Sequence, residues 1–222
     1  MPASGPVSTL GALVFDFDGT LAELNLDFAA LRSEVHALAR RRGRRGPWPA
    51  GYLLEEVEAL AKELGPEFAR RARELIQRRE LEAAARGRLF PFTRPLLQRL
   101  RAAGYALGVV TRNCAAAVRR VFPQVEEVAG CFLPRERVSR VKPHPEHLLS
   151  ACRRLGVPPP HTAMVGDHPT DMAAARAAGC LAVGVTSGRS PAADLRAAGA
   201  QLLLPDASGL LERLAQAKKA LP

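Results

Sequence analysis

The sequence predicts a doubly wound α/β fold, a parallel sheet with helices on both faces, interrupted by one helical insertion. Two observations carry this. Short apolar runs recur along the chain at Ala12–Phe17, Ala106–Thr111, Thr162–Gly166, Leu181–Val185 and Gln201–Leu204. Each has the length and composition of a strand buried on both faces. Between them lie stretches with helical spacing: Thr93–Ala103, Ala115–Phe122, Pro145–Leu155, Thr170–Ala178 and Pro191–Ala198. Several close on a glycine (Gly104, Gly156, Gly179, Gly199), a common helix stop. Alternation of this kind requires right-handed crossovers and therefore parallel strands. A weaker run, Glu127–Leu133, is expected to add a strand after the second.

From about Leu21 to Gly87 the rhythm breaks, and no strand is expected there. Three amphipathic stretches take its place: Phe28–Arg42, Tyr52–Leu64 and Pro66–Arg86, separated by Pro47, Pro49 and the Gly65–Pro66 step. The predicted organisation is a sheet domain made of residues 1–20 and 88–222, with residues 21–87 as an inserted helical domain. Open α/β sheets bind ligands outside the carboxyl ends of their strands. An insertion leaving from that edge is expected to roof the site.

Composition narrows the class. A chain of 222 residues buries roughly 70% of its unfolded surface, enough for a core without metal or disulfide staples. Apolar residues at 47% and charged residues at 24% exclude wholesale disorder. Aromatics at only 5% mean an aliphatic, Ala-rich core. No apolar run approaches the ~18 residues a membrane span needs. Met1–Leu10 has neither the basic start nor the apolar stretch of a leader, so the protein is expected to be cytoplasmic. The net charge of +10 comes largely from Arg set beside Glu on helical stretches. Trp48, Tyr52 and Phe68 are too few and scattered for a nucleic-acid surface, so no specific nucleic-acid partner is expected. Cys114, Cys131, Cys152 and Cys180 are far apart and read as reduced core thiols.

The chemistry gathers at strand ends. The first strand runs into Asp16-Phe17-Asp18-Gly19-Thr20, two carboxylates placed on one side by alternation, with Gly19 permitting a sharp turn. Alone, this also reads as an ordinary acidic turn. The second strand ends in Thr111-Arg112-Asn113, which supplies a hydroxyl and fresh backbone N–H groups. The strand Thr162–Gly166 leads into Asp167 and Asp171, and Lys142 precedes a helix in the rigid Val141–Pro145 loop. Four carboxylates in one crevice repel one another unless cations compensate. Lys142 supplies one charge, and hard oxygen ligands favour Mg²⁺ for the remainder. Such a crevice suits a phosphoryl group: the ion and Lys142 neutralise its oxygens, Thr111 donates a hydrogen bond, and Asp16 attacks phosphorus.

These residues resemble the haloacid dehalogenase superfamily, in order and spacing and over nearly the whole chain. Its DxDGT motif is Asp16 to Thr20, its strand-end hydroxyl Thr111, its basic residue Lys142, and its GDxxxD motif Gly166 to Asp171. The resemblance implies a Rossmann-like core with an inserted helical cap. It implies Asp16 as nucleophile and Asp18 as the acid that protonates the leaving oxygen and then activates water. Mg²⁺ would be held by Asp16, Asp167 and the Asp18 carbonyl, with Asp171 orienting its waters or Lys142. Substrate phosphate would meet Gly19, Thr111, Arg112, Asn113 and Lys142. Because Asp18 is present, phosphoester chemistry is favoured over dehalogenation.

The function so implied is a Mg²⁺-dependent phosphatase acting on a small phosphorylated metabolite, the alternative being a phosphomutase that uses the same phosphoenzyme. No membrane partner is expected, and the protein is expected to be a monomer or homodimer. Two departures from the family pattern fall near the expected entrance: Ala22-Glu23-Leu24 after the first motif, and His168 in the fourth. His144 and His147 are expected to be surface residues at a helix start. The run Arg40, Arg41, Arg42, Arg44 and Arg45 reads either as a solvated loop or as a loop in which Arg44 or Arg45 grips a second anionic group.

Overall fold

The computed structural model describes residues 6–219, so Met1–Gly5 of the segment read for a leader lie outside the described residues. The chain divides into two compact units, residues 1–24 with 87–222, and residues 25–86.

The first unit is built on a six-stranded, wholly parallel sheet. Its strands are β1 (Ala12–Phe15), β4 (Ala106–Val110), β5 (Cys131–Leu133), β6 (Thr162–Gly166), β7 (Leu181–Val185) and β8 (Leu202–Leu204), in spatial order β5-β4-β1-β6-β7-β8. The predicted doubly wound architecture is borne out. Burial follows from the sequence: β1, β6 and β7 are buried at every position, as strands covered on both faces must be. Helices α4 (Thr93–Ala102), α5 (Ala115–Val121), α6 (Val125–Val128), α7 (Glu146–Leu155), α8 (Pro169–Ala178), α9 (Ala192–Ala197) and α10 (Leu210–Lys219) complete the unit. No helix among the described residues is long and apolar enough to cross a membrane.

Strand order and register place the site. The chain winds from β1 outward to β4 and β5, then crosses back to β6 on the other side of β1, so the winding reverses at β1. Phe15 is level with Val109 on one side and Val165 on the other. The residues that follow, Asp16, Val110 and Gly166, therefore emerge side by side at the switch-point crevice.

Several boundaries differ from expectation. The first strand ends at Phe15, not Phe17. Asp18 lies in a turn in which the Phe17 carbonyl accepts from the N–H groups of Thr20, Leu21 and Ala22, so strand alternation does not relate Asp16 to Asp18. Residues 22–23 form a short strand, β2 (Ala22–Glu23), antiparallel to β3 (Arg88–Leu89) and tied by a 2.9 Å Glu23–Arg88 ion pair. Two residues are too few for any periodicity to register. Of Glu127–Leu133, only Cys131–Leu133 is strand; its pairing with β4 runs from Gly108 to Val110, and α6 occupies Val125–Val128. Helix α10 was not anticipated.

The second unit contains α1 (Phe28–Arg40), α2 (Leu53–Leu64) and α3 (Pro66–Ala84). Asp27 caps α1 by accepting from the Ala30 N–H at 2.9 Å, and Pro66 opens α3 where its missing N–H costs nothing. Leu31, Val35, Val57, Leu60, Phe68 and Ile76 form its aliphatic core. Buried Glu56 is paired with Arg32 at 3.1 Å and with His36, whose ring stacks on Trp48.

Candidate active site

Lys142 is the centre of the site. It is 1% exposed, and its Nζ lies 2.8 Å from Asp16 Oδ1, 2.6 Å from Asp171 Oδ1 and 3.0 Å from the carbonyl oxygen of Val110. The ammonium thus spends its three donors on the ends of β1 and β4 and the first turn of α8. Burial works against its charge, but the carboxylates of Asp16 and Asp171 outweigh that penalty and hold its pKa above the ordinary value. One oxygen from each of Asp16, Asp167 and Asp171 lies within 4.8 Å of the others. Asp18 is outside this trio; its Oδ1 accepts the Leu24 N–H at 2.8 Å.

The carboxylates are under electrostatic stress. Burial, followed by the charges of Asp16 and Asp171, pushes Asp167 well above the usual carboxylate range. Burial pushes Asp171 up to about 6 despite Lys142, and Asp18 up to about 6 as well. A hard, all-oxygen donor set with one ammonium for several carboxylates fits a divalent cation such as Mg²⁺.

The remaining predicted residues surround this centre. Thr111 is fully buried; its hydroxyl donates to Asn113 Oδ1 at 2.9 Å and accepts the Asn113 N–H at 3.1 Å, so both stay at the end of β4. The Arg112 guanidinium donates to the Lys142 carbonyl. Gly19 has φ 85°, and a Cβ there would collide with the Asp167 carboxylate, so glycine is required on both counts. His168 caps α8, its Nδ1 accepting from the Thr170 N–H while Asp171 Oδ2 accepts the His168 N–H at 3.0 Å. Arg44 pairs with Glu63 at 2.9 Å and donates to the Arg45 and Pro47 carbonyls of its own loop, whereas Arg45 is exposed.

His147 is corrected: it is fully buried, not a surface residue. Its Nδ1 accepts the Lys142 N–H at 3.2 Å, and its Nε2 faces the Leu133 carbonyl at 2.9 Å. His144 stays partly exposed beside Arg140. Burial, then the Lys142 charge, brings His147 down to about 4. The unfolded chain protonates near 6.5, so the stability contributed by neutral His147 is complete above pH 6.5 and is lost as pH falls toward 4. Replacing His147 with Gln is expected to make the acid-side fall in stability shallower than in the parent, by about 3 kcal/mol between pH 7 and 4. Thermal melts of both proteins measure this, since the titrating carboxylates are common to both; parallel curves would count against it.

The loop after β7 also escaped sequence reasoning. Ser187 donates to the Gly19 carbonyl at 2.7 Å, and the Arg189 N–H donates to Asp167 Oδ2 at 3.3 Å. A Cβ at Gly188 would occupy the Asp167 carboxylate's space. The available signal was a small polar run, Thr186–Ser190, leaving a buried strand at the same sheet edge.

Fold and crevice together define an α/β enzyme core with an acidic site at its switch point. The chain belongs to the haloacid dehalogenase-like hydrolase family, whose match spans residues 10–179. It is 32% identical to "Probable phosphatase IndB" of Dickeya dadantii over 86% of this chain and 88% of that protein. It is 30% identical to a phosphoglycolate phosphatase of Xanthomonas campestris over 78% of this chain and 81% of that one. The crystal structure of a hydrolase from Pseudomonas syringae superposes with a TM-score of 0.75 at 24% identity, covering 93% of this chain and 98% of that one, a likeness of fold. With phosphatase relatives along most of its length, the chain is an enzyme of the phosphatase kind.

Proposed function

We propose that this phosphatase hydrolyses a small phosphorylated metabolite through an aspartyl-phosphate on Asp16, with Mg²⁺ held by Asp16, Asp167 and the Asp18 carbonyl. The supporting observation is Lys142 locked between Asp16 and Asp171 beside a third carboxylate. Bound there, the ion would neutralise phosphoryl oxygens and charge developing in the transition state.

Lys142 pairs with one Asp16 oxygen at 2.8 Å and so aims the carboxylate, leaving the other oxygen to attack phosphorus. Asp18, raised to about 6, carries its proton in about one molecule in ten at pH 7, far more than an ordinary aspartate, and in that form can give it to the departing alkoxide. The resulting carboxylate then takes a proton from the water that attacks the aspartyl-phosphate. Asp171 and the Val110 carbonyl orient Lys142, while Ser187 and the Arg189 N–H fix the Gly19 turn and Asp167.

Phosphate release from p-nitrophenyl phosphate and a panel of phosphorylated metabolites tests this reading, with phosphoglycolate first because relatives are named for it. Activity is expected to need Mg²⁺, to fall at least about 100-fold in EDTA and to return when Mg²⁺ is restored. Undiminished turnover in EDTA would remove the metal from the account.

A further inference from the structure

Away from the acidic crevice, two buried thiols touch. Cys152 lies in the last turn of α7, and Cys180 follows Gly179, the C-cap of α8; their sulfurs are 3.9 Å apart across 28 residues of sequence. We propose that Cys152 and Cys180 are a peroxide-oxidisable thiol pair that closes into a disulfide, joining the end of α7 to the end of α8. Neither thiol has a part in the phosphatase mechanism.

Geometry favours closure. The sulfurs need to approach to about 2.05 Å, and Cys180 lies beyond the last turn of its helix, on the chain that leaves the Gly179 cap. The thiol–thiol contact with Cys180, with Thr162 adding to the effect, pulls the Cys152 thiol down, and the more acidic thiol is the one that attacks. Cys131, by contrast, is pushed up to about 11 by burial. At 4% and 5% exposure the pair is covered but not sealed, and local opening admits a molecule the size of hydrogen peroxide.

The chemistry balances with hydrogen peroxide as oxidant. The Cys152 thiolate attacks one peroxide oxygen, the O–O bond breaks, and hydroxide leaves as water after taking a proton. Cys152 becomes a sulfenic acid. The Cys180 sulfur then attacks the Cys152 sulfur, the S–O bond breaks, and a second water leaves. The protein loses two protons and two electrons, and peroxide is reduced to two waters.

The link falls where it would steady the site from behind. At their other ends the same two helices grip Lys142: His147 in the first turn of α7 accepts its N–H, and Asp171 in the first turn of α8 pairs with its Nζ. Incubation of the whole protein with hydrogen peroxide, followed by denaturation, alkylation and mass spectrometry, tests the pair. The expected result is two of four thiols protected, a peptide joined through Cys152 and Cys180, and a melting temperature raised by about 5 °C or more, reversed by dithiothreitol. In a Cys180→Ser variant, which keeps a hydrogen-bond donor beside Cys152 but lacks the closing thiol, dimedone is expected to trap a sulfenic acid on Cys152. Four alkylatable thiols after treatment, a bridge using Cys114 or Cys131, or a Cys180→Ser variant with no trapped Cys152 would each overturn the proposal.

Discussion

Replacing Asp16 with Asn is expected to lower kcat for phosphate-ester hydrolysis by at least about 10⁴-fold, because residues acting as one catalytic unit fail together. The amide is nearly isosteric with the carboxylate but is a far weaker nucleophile. Folding should survive, since Lys142 keeps Asp171 and the Val110 carbonyl as partners. Circular dichroism and a steady-state assay on one preparation measure both halves. A folded Asp16→Asn protein with parental kcat would reject Asp16 as nucleophile.

Lys142→Met carries the largest expected effect on stability. The substitution leaves the fully buried Asp171 and the partly buried Asp16 facing each other without their shared cation. Removing one partner of a buried pair costs about 3–5 kcal/mol, or roughly 10 °C in melting temperature for a chain of this size. Adding Asp171→Asn to Lys142→Met should recover most of that loss, because the second change removes the stranded charge. Activity should stay at least about 100-fold down in both variants, since the buried positive charge that pairs with and aims Asp16 is gone. Additive losses in the double variant would mean the two side chains are not coupled.

What the sequence reveals depends on how local the signal is. Strands β1, β4, β6 and β7 are legible because an unbroken apolar run ending in polar residues describes a strand buried on both faces and its exit. The same exits carry Asp16, Thr111 and Asp167, so the candidate residues can be read from short segments. His147 is different. Its surroundings come from β5 and the Lys142 loop, distant in sequence, and nothing in Pro145–Leu155 marks one histidine as buried. The loop Thr186–Ser190 looks like any small polar turn until the fold brings it against Gly19 and Asp167. Strands β2 and β3 are two residues each, below the length at which alternation can be recognised. The thiol pair depends on α7 and α8 packing, which no spacing along the chain encodes.

The most direct measurement quenches the enzyme with acid during turnover of a phosphate ester in Mg²⁺ and locates the retained phosphate by peptide mass spectrometry. The account predicts it on Asp16, and its absence from Asp16→Asn protein treated identically. Phosphate on any other residue, or retained by the Asn variant, would contradict it.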